Sequence, residues 1–466
     1  MEQLGKVIET MSSYVWGLPM LVLLVGTHIY LTIRLRGIQR HTVKAVKLSV
    51  TVDEKSKGDI TQFGALATAL AATIGTGNII GVSTAVALGG PGAVLWTWLT
   101  GIFGMATKYA EALLSVKYRR KNTAGNYVGG PMYVIEKGLH QKWLAVVFAV
   151  FTVLATFGAG CTVQSHAISG IIESTFHIPT WVSGLVITVL IGTVVMGGVK
   201  KISAVCEKLV PFMAAFYVVA CLVIIIINHS YFIPAIVLIA KSAFTTRAAA
   251  GGFVGSTMII ACRYGVARGL FSNESGLGTA PIAAAAAQTK NPVRQALVSM
   301  TGTFWDTVIV CALTGIVIVS SMLHVPDRFV GAGNDQLVQN AFGLLPGIGQ
   351  YVLAVALAVF AFTTILGWCF YGEKAMEYLF GLKSVMVYRV IFLIILFLGS
   401  VVSLAIIWNF SDLMNGLMAF PNLISLLLLS GVVVKETRHY LWEDNLHKQV
   451  EEDVDDLEED PDGINE

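Results

Sequence analysis

Apolar residues run in stretches of membrane length along nearly the whole chain, and polar residues gather between them. A hydrocarbon core about 30 Å thick takes roughly 20 residues of α-helix to cross. Segments of that length fall at 14–34, 63–88, 92–116, 141–172, 179–198, 202–228, 252–287, 295–322, 347–380, 385–408 and 410–434. The pattern predicts an all-α polytopic membrane protein with about 11 transmembrane helices. Two segments are interrupted. Residues 71–82 put Gly75, Thr76, Gly77 and Asn78 into an apolar run, and residues 271–281 put Ser272, Asn273, Glu274, Gly276, Gly278 and Pro281 into another. Unpaired backbone groups in lipid cost several kcal/mol each, so irregular backbone survives there only inside protein or along a cavity. Two broken helices at matching places in two halves point to the binding site of a secondary transporter.

Composition sharpens this picture. Of 466 residues, 55% are hydrophobic and 13% charged, with a mean hydropathy of +0.72. Soluble domains carry about 25% charged residues, which excludes a water-facing fold of this size. The formal charge of +2 matters less than its placement. Arg34, Arg36, Arg40, Lys44, Lys47, Lys55 and Lys57 crowd the first interhelical loop. Lys117, Arg119, Arg120 and Lys121 follow the third span, and further basic pairs follow each odd span. Only Lys6, Lys241, Arg247 and Arg328 lie on the other side. The positive-inside rule places the N-terminus outside and the C-terminus in the cytoplasm of a multi-pass protein of the cell membrane. The first apolar segment reads as a retained helix rather than a cleaved leader, because the basic cluster follows it.

Setting the first span and its basic loop (1–62) aside leaves two fives, 63–228 and 252–436, joined by an external connection at 229–251. Each five opens with a broken helix. An odd number of spans per half requires opposite orientations, which is an inverted repeat. The remaining stretch, 437–466, is a cytoplasmic tail ending in the acidic run 451–466, a solvated segment by its composition. The six cysteines stand singly in or beside apolar spans without metal spacing, as small hydrophobes do. No Walker loop, nucleophile elbow or metal cluster occurs, which argues against ATP drive and against an enzyme, and no cofactor is implied. Membrane lipid is the surrounding partner, nucleic acid is not one, and the oligomeric state is left open.

The first break offers two chemistries. Past it, the helix resumes with unpaired N–H groups suited to a carboxylate. Before it, the carbonyls around Ala71–Ile74 suit a small hard cation. In the second break Glu274 has three readings: an ion pair with Arg268 or Arg263, a proton carrier, or part of a cation site. Asp306, beside Trp305, is the other isolated acid. Gln164 reads either as a ligand group or as interhelical glue. Thr363 and Thr364 either bond back to their own turn or complete an oxygen cage, and Gly367–Trp368 follows them. A site of dipoles, amides, hydroxyls and aromatics fits a small zwitterion.

These motifs resemble the alanine or glycine:cation symporter family. The resemblance runs from about Trp16 to Val434. It rests on Ala69-Leu-Ala-Ala-Thr-Ile-Gly-Thr-Gly-Asn78, Gly89-Gly-Pro-Gly92, Phe103-Gly-Met-Ala-Thr-Lys-Tyr-Ala-Glu111, Gly129-Gly-Pro-Met-Tyr133, Gly269 to Gly278 and Gly367-Trp368. It implies a leucine-transporter-type fold, a 5+5 inverted repeat with one extra N-terminal helix, and uptake of alanine or glycine with sodium as coupling ion. By similarity, Thr76, Gly77, Asn78, Gln164, Phe271, Ser272, Gly276 and Trp368 would bind the small neutral amino acid. Ala71, Ile74, Thr363 and Thr364 would hold sodium. Coupling to protons through Glu274 or Asp306 is the rival expectation.

Overall fold

The computed structural model describes residues 2–51, 56–244, 258–402 and 405–450. Lys55, Arg247, the stretch 245–257 that joins the two expected halves and opens the seventh span, and the acidic run 451–466 lie outside the described residues.

The helices follow the apolar runs: α1 Glu2–Val15, α2 Leu18–Arg34, α3 Thr42–Ser49, α4 Gln62–Thr73, α5 Gly77–Gly89, α6 Ala93–Lys117, α7 Lys142–Phe176, α8 Thr180–Val195 and α9 Gly198–Ile227. Then come α10 His229–Phe244, α11 Met258–Asn273, α12 Ala280–Ala285, α13 Pro292–His324, α14 Gln336–Phe342, α15 Gly349–Phe380, α16 Lys383–Val401, α17 Ala405–Leu428 and α18 Ser430–Thr437. Each of the 11 expected segments coincides with a helix or a broken pair. Among the described residues, 7 helices qualify as spans by length and apolarity, and the pair α4–α5, bent by 53°, makes an eighth. The others depart for visible reasons. Helix α6 carries Lys108 and Glu111, α8 has only 16 residues, and α11–α12 is interrupted. The expected connection after residue 228 is itself helical as α10.

The packing forms two groups. Helix α6 lies against α2, α11, α12 and α13, while α15 lies against α7 and α16, with α8 packed on α16. Helix α4 touches both groups through α9, α13 and α15. Small residues permit the close approach: a Cβ on Gly367 of α15 would meet Ala72 of α4 at 2.7 Å. Such small-residue contacts are how helices associate where lipid offers no hydrophobic drive. The two breaks therefore face each other between the groups.

The side of the molecule where the basic loops gather is zipped by backbone. The stretch before α4 pairs with the stretch after α12 through an isolated parallel bridge, Ile60 with Ala287. Asp59 N–H donates to the Ala286 carbonyl (2.8 Å), and Gln288 N–H donates to the Ile60 carbonyl (2.8 Å). Arg119 clamps this pairing, donating to the carbonyls of Ala285 (3.1 Å), Ala287 (2.8 Å) and Lys57 (3.1 Å). Its guanidinium lies 4.4 Å from the Tyr127 ring centre, on the short antiparallel pair Arg120–Lys121 and Tyr127–Val128. The carboxylate of Asp59 accepts from Tyr127 N–H (2.6 Å). Burial raises the Asp59 pKa above the ordinary carboxylate range, against the opposing pull of that bond.

Removing the clamp should loosen this face. In Arg119→Met, a cysteine placed by Ala286→Cys should react at least several-fold faster with a membrane-impermeant thiol reagent than in the Arg119 background. Equal rates would mean that the bridge holds without the guanidinium.

Candidate functional site

The first break begins where α4 ends. Ile74 N–H still bonds to the Leu70 carbonyl (2.8 Å), but Ile74 itself is extended, with ψ 95°. The side chain of Asn78 bridges the gap, its Oδ1 accepting from Gly75 N–H (2.8 Å). The chain then resumes as a π-helical turn, Gly77–Gly81. Two more π-helical turns lie in the helices around the breaks, Gly158–Thr162 in α7 and Phe304–Cys311 in α13. Such turns are uncommon and recur at functional sites.

The second break is a sharper turn. Glu274, Gly276 and Gly278 have φ of 54°, 95° and 85°. For glutamate this left-handed conformation is strained, and strain of this kind collects at binding sites. Unwinding frees backbone amides at membrane depth, and Glu111 of α6 receives them. Its Oε1 accepts from Gly276 N–H (3.0 Å), Gly278 N–H (3.2 Å) and Asn422 Nδ2 (2.7 Å). Asn422 of α17 also donates to the Gly276 carbonyl (2.9 Å).

One carboxylate ties the two breaks together. Asp306 of α13, fully buried, accepts from Asn78 Nδ2 (2.7 Å), Ser272 Oγ (3.1 Å) and Thr307 Oγ1 (2.6 Å). Glu274 Oε2 accepts from Thr279 Oγ1 (2.5 Å). No ion pair joins Glu274 to Arg268 among the described residues, so that simple reading of its burial is not what the fold uses. The nearby cation is Lys108, which is buried and whose Nζ has no hydrogen-bond partner. It lines a water-sized cavity of about 10 Å³ with Thr73, Asn273 and Ser299.

Between the breaks and α15 lies a small cavity of about 20 Å³. Of the residues expected to bind a solute, Thr76, Gly77, Gln164, Phe271 and Trp368 line it. Thr76 Oγ1 donates to Gln164 Oε1 (3.2 Å), while Gln164 Nε2 donates to the Ala159 carbonyl (3.1 Å), which orients the amide. Trp368 is seated in a notch at Gly160, where a Cβ would come within 2.2 Å of it. Asn78 and Ser272 are turned to Asp306 instead, and Gly276 faces Leu24 and Leu423 because its backbone is inverted. Sequence reasoning did not place Glu274 or Asn415 in the solute cavity, yet both line it. Asn415, a polar residue inside the apolar run of α17, carried the signal that the other buried amides carried.

The expected cation ligands are brought together only in part. Thr364 Oγ1 reaches the Ile74 carbonyl at 3.5 Å while bonding the Phe360 carbonyl of its own helix (2.9 Å). Thr363 Oγ1 bonds the Phe360 carbonyl (2.9 Å) and lies 3.2 Å from Met213 Sδ. No cluster of three His, Cys, Asp or Glu side chains suited to a metal exists among the described residues. Oxygen from unwound carbonyls and hydroxyls is what this place offers a cation.

The sodium:alanine symporter family model matches residues 1–454. The chain belongs to this family. It is 48% identical to the sodium/alanine symporter AgcS of Methanococcus maripaludis, over 93% of this chain and 97% of that one. It is 35% identical to the putative sodium/proton-dependent alanine carrier protein YrbD of Bacillus subtilis, over 93% of this chain and 92% of that one. Among solved structures it is similar to MhsT in complex with L-phenylalanine, with a TM-score of 0.55 and 13% identity over 81% of this chain and 98% of that one. The fold of this family member is thus the leucine-transporter type, and the chain is a multi-pass transporter, not an enzyme.

Deleting an acceptor at a break should be costly to stability. Glu111→Ala leaves Gly276 N–H, Gly278 N–H and the Asn422 amide without their shared acceptor, a loss of about 1–3 kcal/mol per unsatisfied group. A clear fall in melting temperature in detergent is expected. Unchanged melting would mean that water replaces the carboxylate.

Proposed function

We propose that this member of a family of sodium-coupled amino acid symporters imports alanine or glycine together with sodium, by alternating access. The observation that carries the reading is the joint itself. The cavity between the two breaks has a helix start on one side, Glu274 on another, and the Ile74–Thr364 contact at its edge.

A zwitterion suits these groups. Its carboxylate is placed at the N–H groups where α5 begins, which the helix dipole favours. Its ammonium is placed at Glu274 and the Asn415 side chain, whose Oδ1 is buried without a partner. Trp368 and Phe271 limit its side chain to a methyl group or a hydrogen. Sodium is assigned to the carbonyls of Ala71 and Ile74 with the hydroxyls of Thr363 and Thr364. There it joins the broken helix to α15, stabilising the state open to the outside. Solute binding then closes the cavity. The group containing α4, α5, α6, α11 and α13 rocks against the group containing α7, α8, α15 and α16. In this reading 63–228 and 252–436 are the two inverted halves and 229–251 links them outside. The bridge then faces the cytoplasm, as does the C-terminus of a cell-membrane protein.

Proton coupling is the second reading, and a specific feature favours it. Three buried carboxylates, Glu111, Glu274 and Asp306, surround the breaks with Lys108 as the nearby ammonium. Uncompensated charge at membrane depth is expensive, so a proton on one of them is a reasonable coupling ion.

Labelled alanine uptake into proteoliposomes at clamped pH separates the two. Saturable accumulation with inward sodium and none in equimolar choline supports the first reading. Accumulation in choline that a protonophore abolishes transfers coupling to protons and overturns it. Two variants test the assignments. Glu274→Gln should raise the alanine KM by roughly thirtyfold, from loss of about 2 kcal/mol in a charged hydrogen bond. An unchanged KM removes the ammonium assignment. Trp368→Ala should admit larger neutral amino acids in competition assays, and unaltered selectivity in a folded variant would refute the size limit.

A further inference from the structure

Gly104, Lys108 and Glu111 are spaced to share one face of α6, and that face lies against the second break. A Cβ on Gly104 would stand 3.0 Å from Ser275 Oγ, and Glu111 Oε1 accepts from the amides of Gly276 and Gly278. Lys108, between them in sequence, is only 2% exposed. Its Nζ has no hydrogen-bond partner. Neither has Glu111 Oε2, nor the Nδ2 of Asn273, the residue before Glu274. Lys108 and Asn273 line the same water-sized cavity with Thr73 and Ser299. An ammonium carries three donors, and burying it with none engaged is costly unless charge compensates it.

The carboxylates around the breaks supply that charge. Lys108 acts electrostatically on Glu111 of its own helix, on Glu274 of the second break and on Asp306 of α13. From α2 it meets His28, whose Nδ1 lies 2.7 Å from Thr107 Oγ1. Helix α4 brings only the Thr73 hydroxyl to the cavity. Other charges on helices packed against α6 are engaged elsewhere. Glu436 of α18 pairs with Lys117 (2.8 Å), Arg268 of α11 acts on Asp412 of α17, and Arg263 lies 5.9 Å from the Tyr264 ring centre. The buried cluster thus sets three carboxylates against one ammonium.

We propose that Lys108 is a positioning residue of the second break, a fixed ammonium that offsets one of the three buried carboxylates. With it in place, Glu274 stays ionised for the solute's ammonium and the empty site takes up no proton. The part played by Glu274 rests on the solute assignment made above; the offset of charge does not. A carboxylate left uncompensated at this depth binds a proton instead, because a lone buried charge is the most expensive arrangement. Lys108 therefore acts through the acids and touches no solute.

The solute-free test is the pH dependence of melting in detergent, for the unaltered chain, Lys108→Met, Lys108→Arg and the double variant Lys108→Met/Glu111→Gln. Folded Lys108→Met should bind one proton more than its unfolded chain, so its stability is lost as pH rises. Its melting temperature should fall relative to the unaltered chain by roughly 2 °C per pH unit between about pH 6 and 9. Lys108→Arg keeps the charge, and Glu111→Gln removes an acid while keeping an acceptor for Gly276 and Gly278. Neither Lys108→Arg nor the double variant should show that slope. A Lys108→Met chain that tracks the unaltered one at every pH would overturn the proposal, as would a slope that survives in the double variant. Failure of Lys108→Met and the double variant alike to fold at any pH would also overturn it, since Lys108 would then serve packing alone. Calorimetry of alanine binding in saturating sodium, in two buffers of different ionisation enthalpy, adds a proton count. The unaltered chain should release no proton and Lys108→Met about one. Release by the unaltered chain would overturn the proposal. Alanine binding to none of the chains would refute the solute assignment alone, with the melting slopes still deciding the role of Lys108.

Discussion

Everything at the centre of this protein depends on one requirement: backbone that leaves a helix inside a membrane must find partners among the surrounding side chains. At the second break the partners are Glu111 and Asn422, from two separate helices, and at the first break the main one is Asn78. An ordinary helix keeps these bonds to itself. By handing them to side chains, the fold leaves part of the helix surface free to face a solute, while the unwound stretch keeps one shape.

The same economy makes the two breaks a single unit. Asp306 holds Asn78 on one side and Ser272 on the other, so a shift of either break disturbs both. Across the cavity, contact with the other group is lighter, the Thr364 hydroxyl 3.5 Å from the Ile74 carbonyl and the Thr76 hydroxyl 3.2 Å from Gln164 Oε1. Strong bonds within one group and light ones between groups are what a rocking motion needs. On the basic face, the backbone bridge and Arg119 tie together the ends of the helices that carry the breaks.

Much of this was legible in the apolar pattern. The expected spans reappear as helices or broken pairs, and glycine with polar neighbours marked both breaks. Thr76, Gly77, Gln164, Phe271 and Trp368 line one cavity between the breaks. What the pattern missed was direction. Asn78 and Ser272 were polar in the right place but point to Asp306, because a buried carboxylate outcompetes an empty cavity for donors. Gly276 turns away because φ of 95° inverts its backbone. Glu111 escaped notice as a break partner because it lies 165 residues from Gly276, although a charge inside an apolar run was its visible signal. The extra helix α10 was hidden by its internal Pro234 and by Asn228, His229 and Lys241, which leave too short an apolar run to read as a crossing.

The central claim is that ion and amino acid meet at one joint, between the first break and α15. The direct measurement is alanine affinity by calorimetry on the purified protein, in sodium and in choline at equal ionic strength, with sodium affinity measured in turn with and without alanine. The account predicts that sodium tightens alanine binding, that alanine tightens sodium binding by the same factor, and that Thr364→Ala abolishes both. An alanine affinity indifferent to sodium, or a coupling untouched by Thr364→Ala, would contradict it.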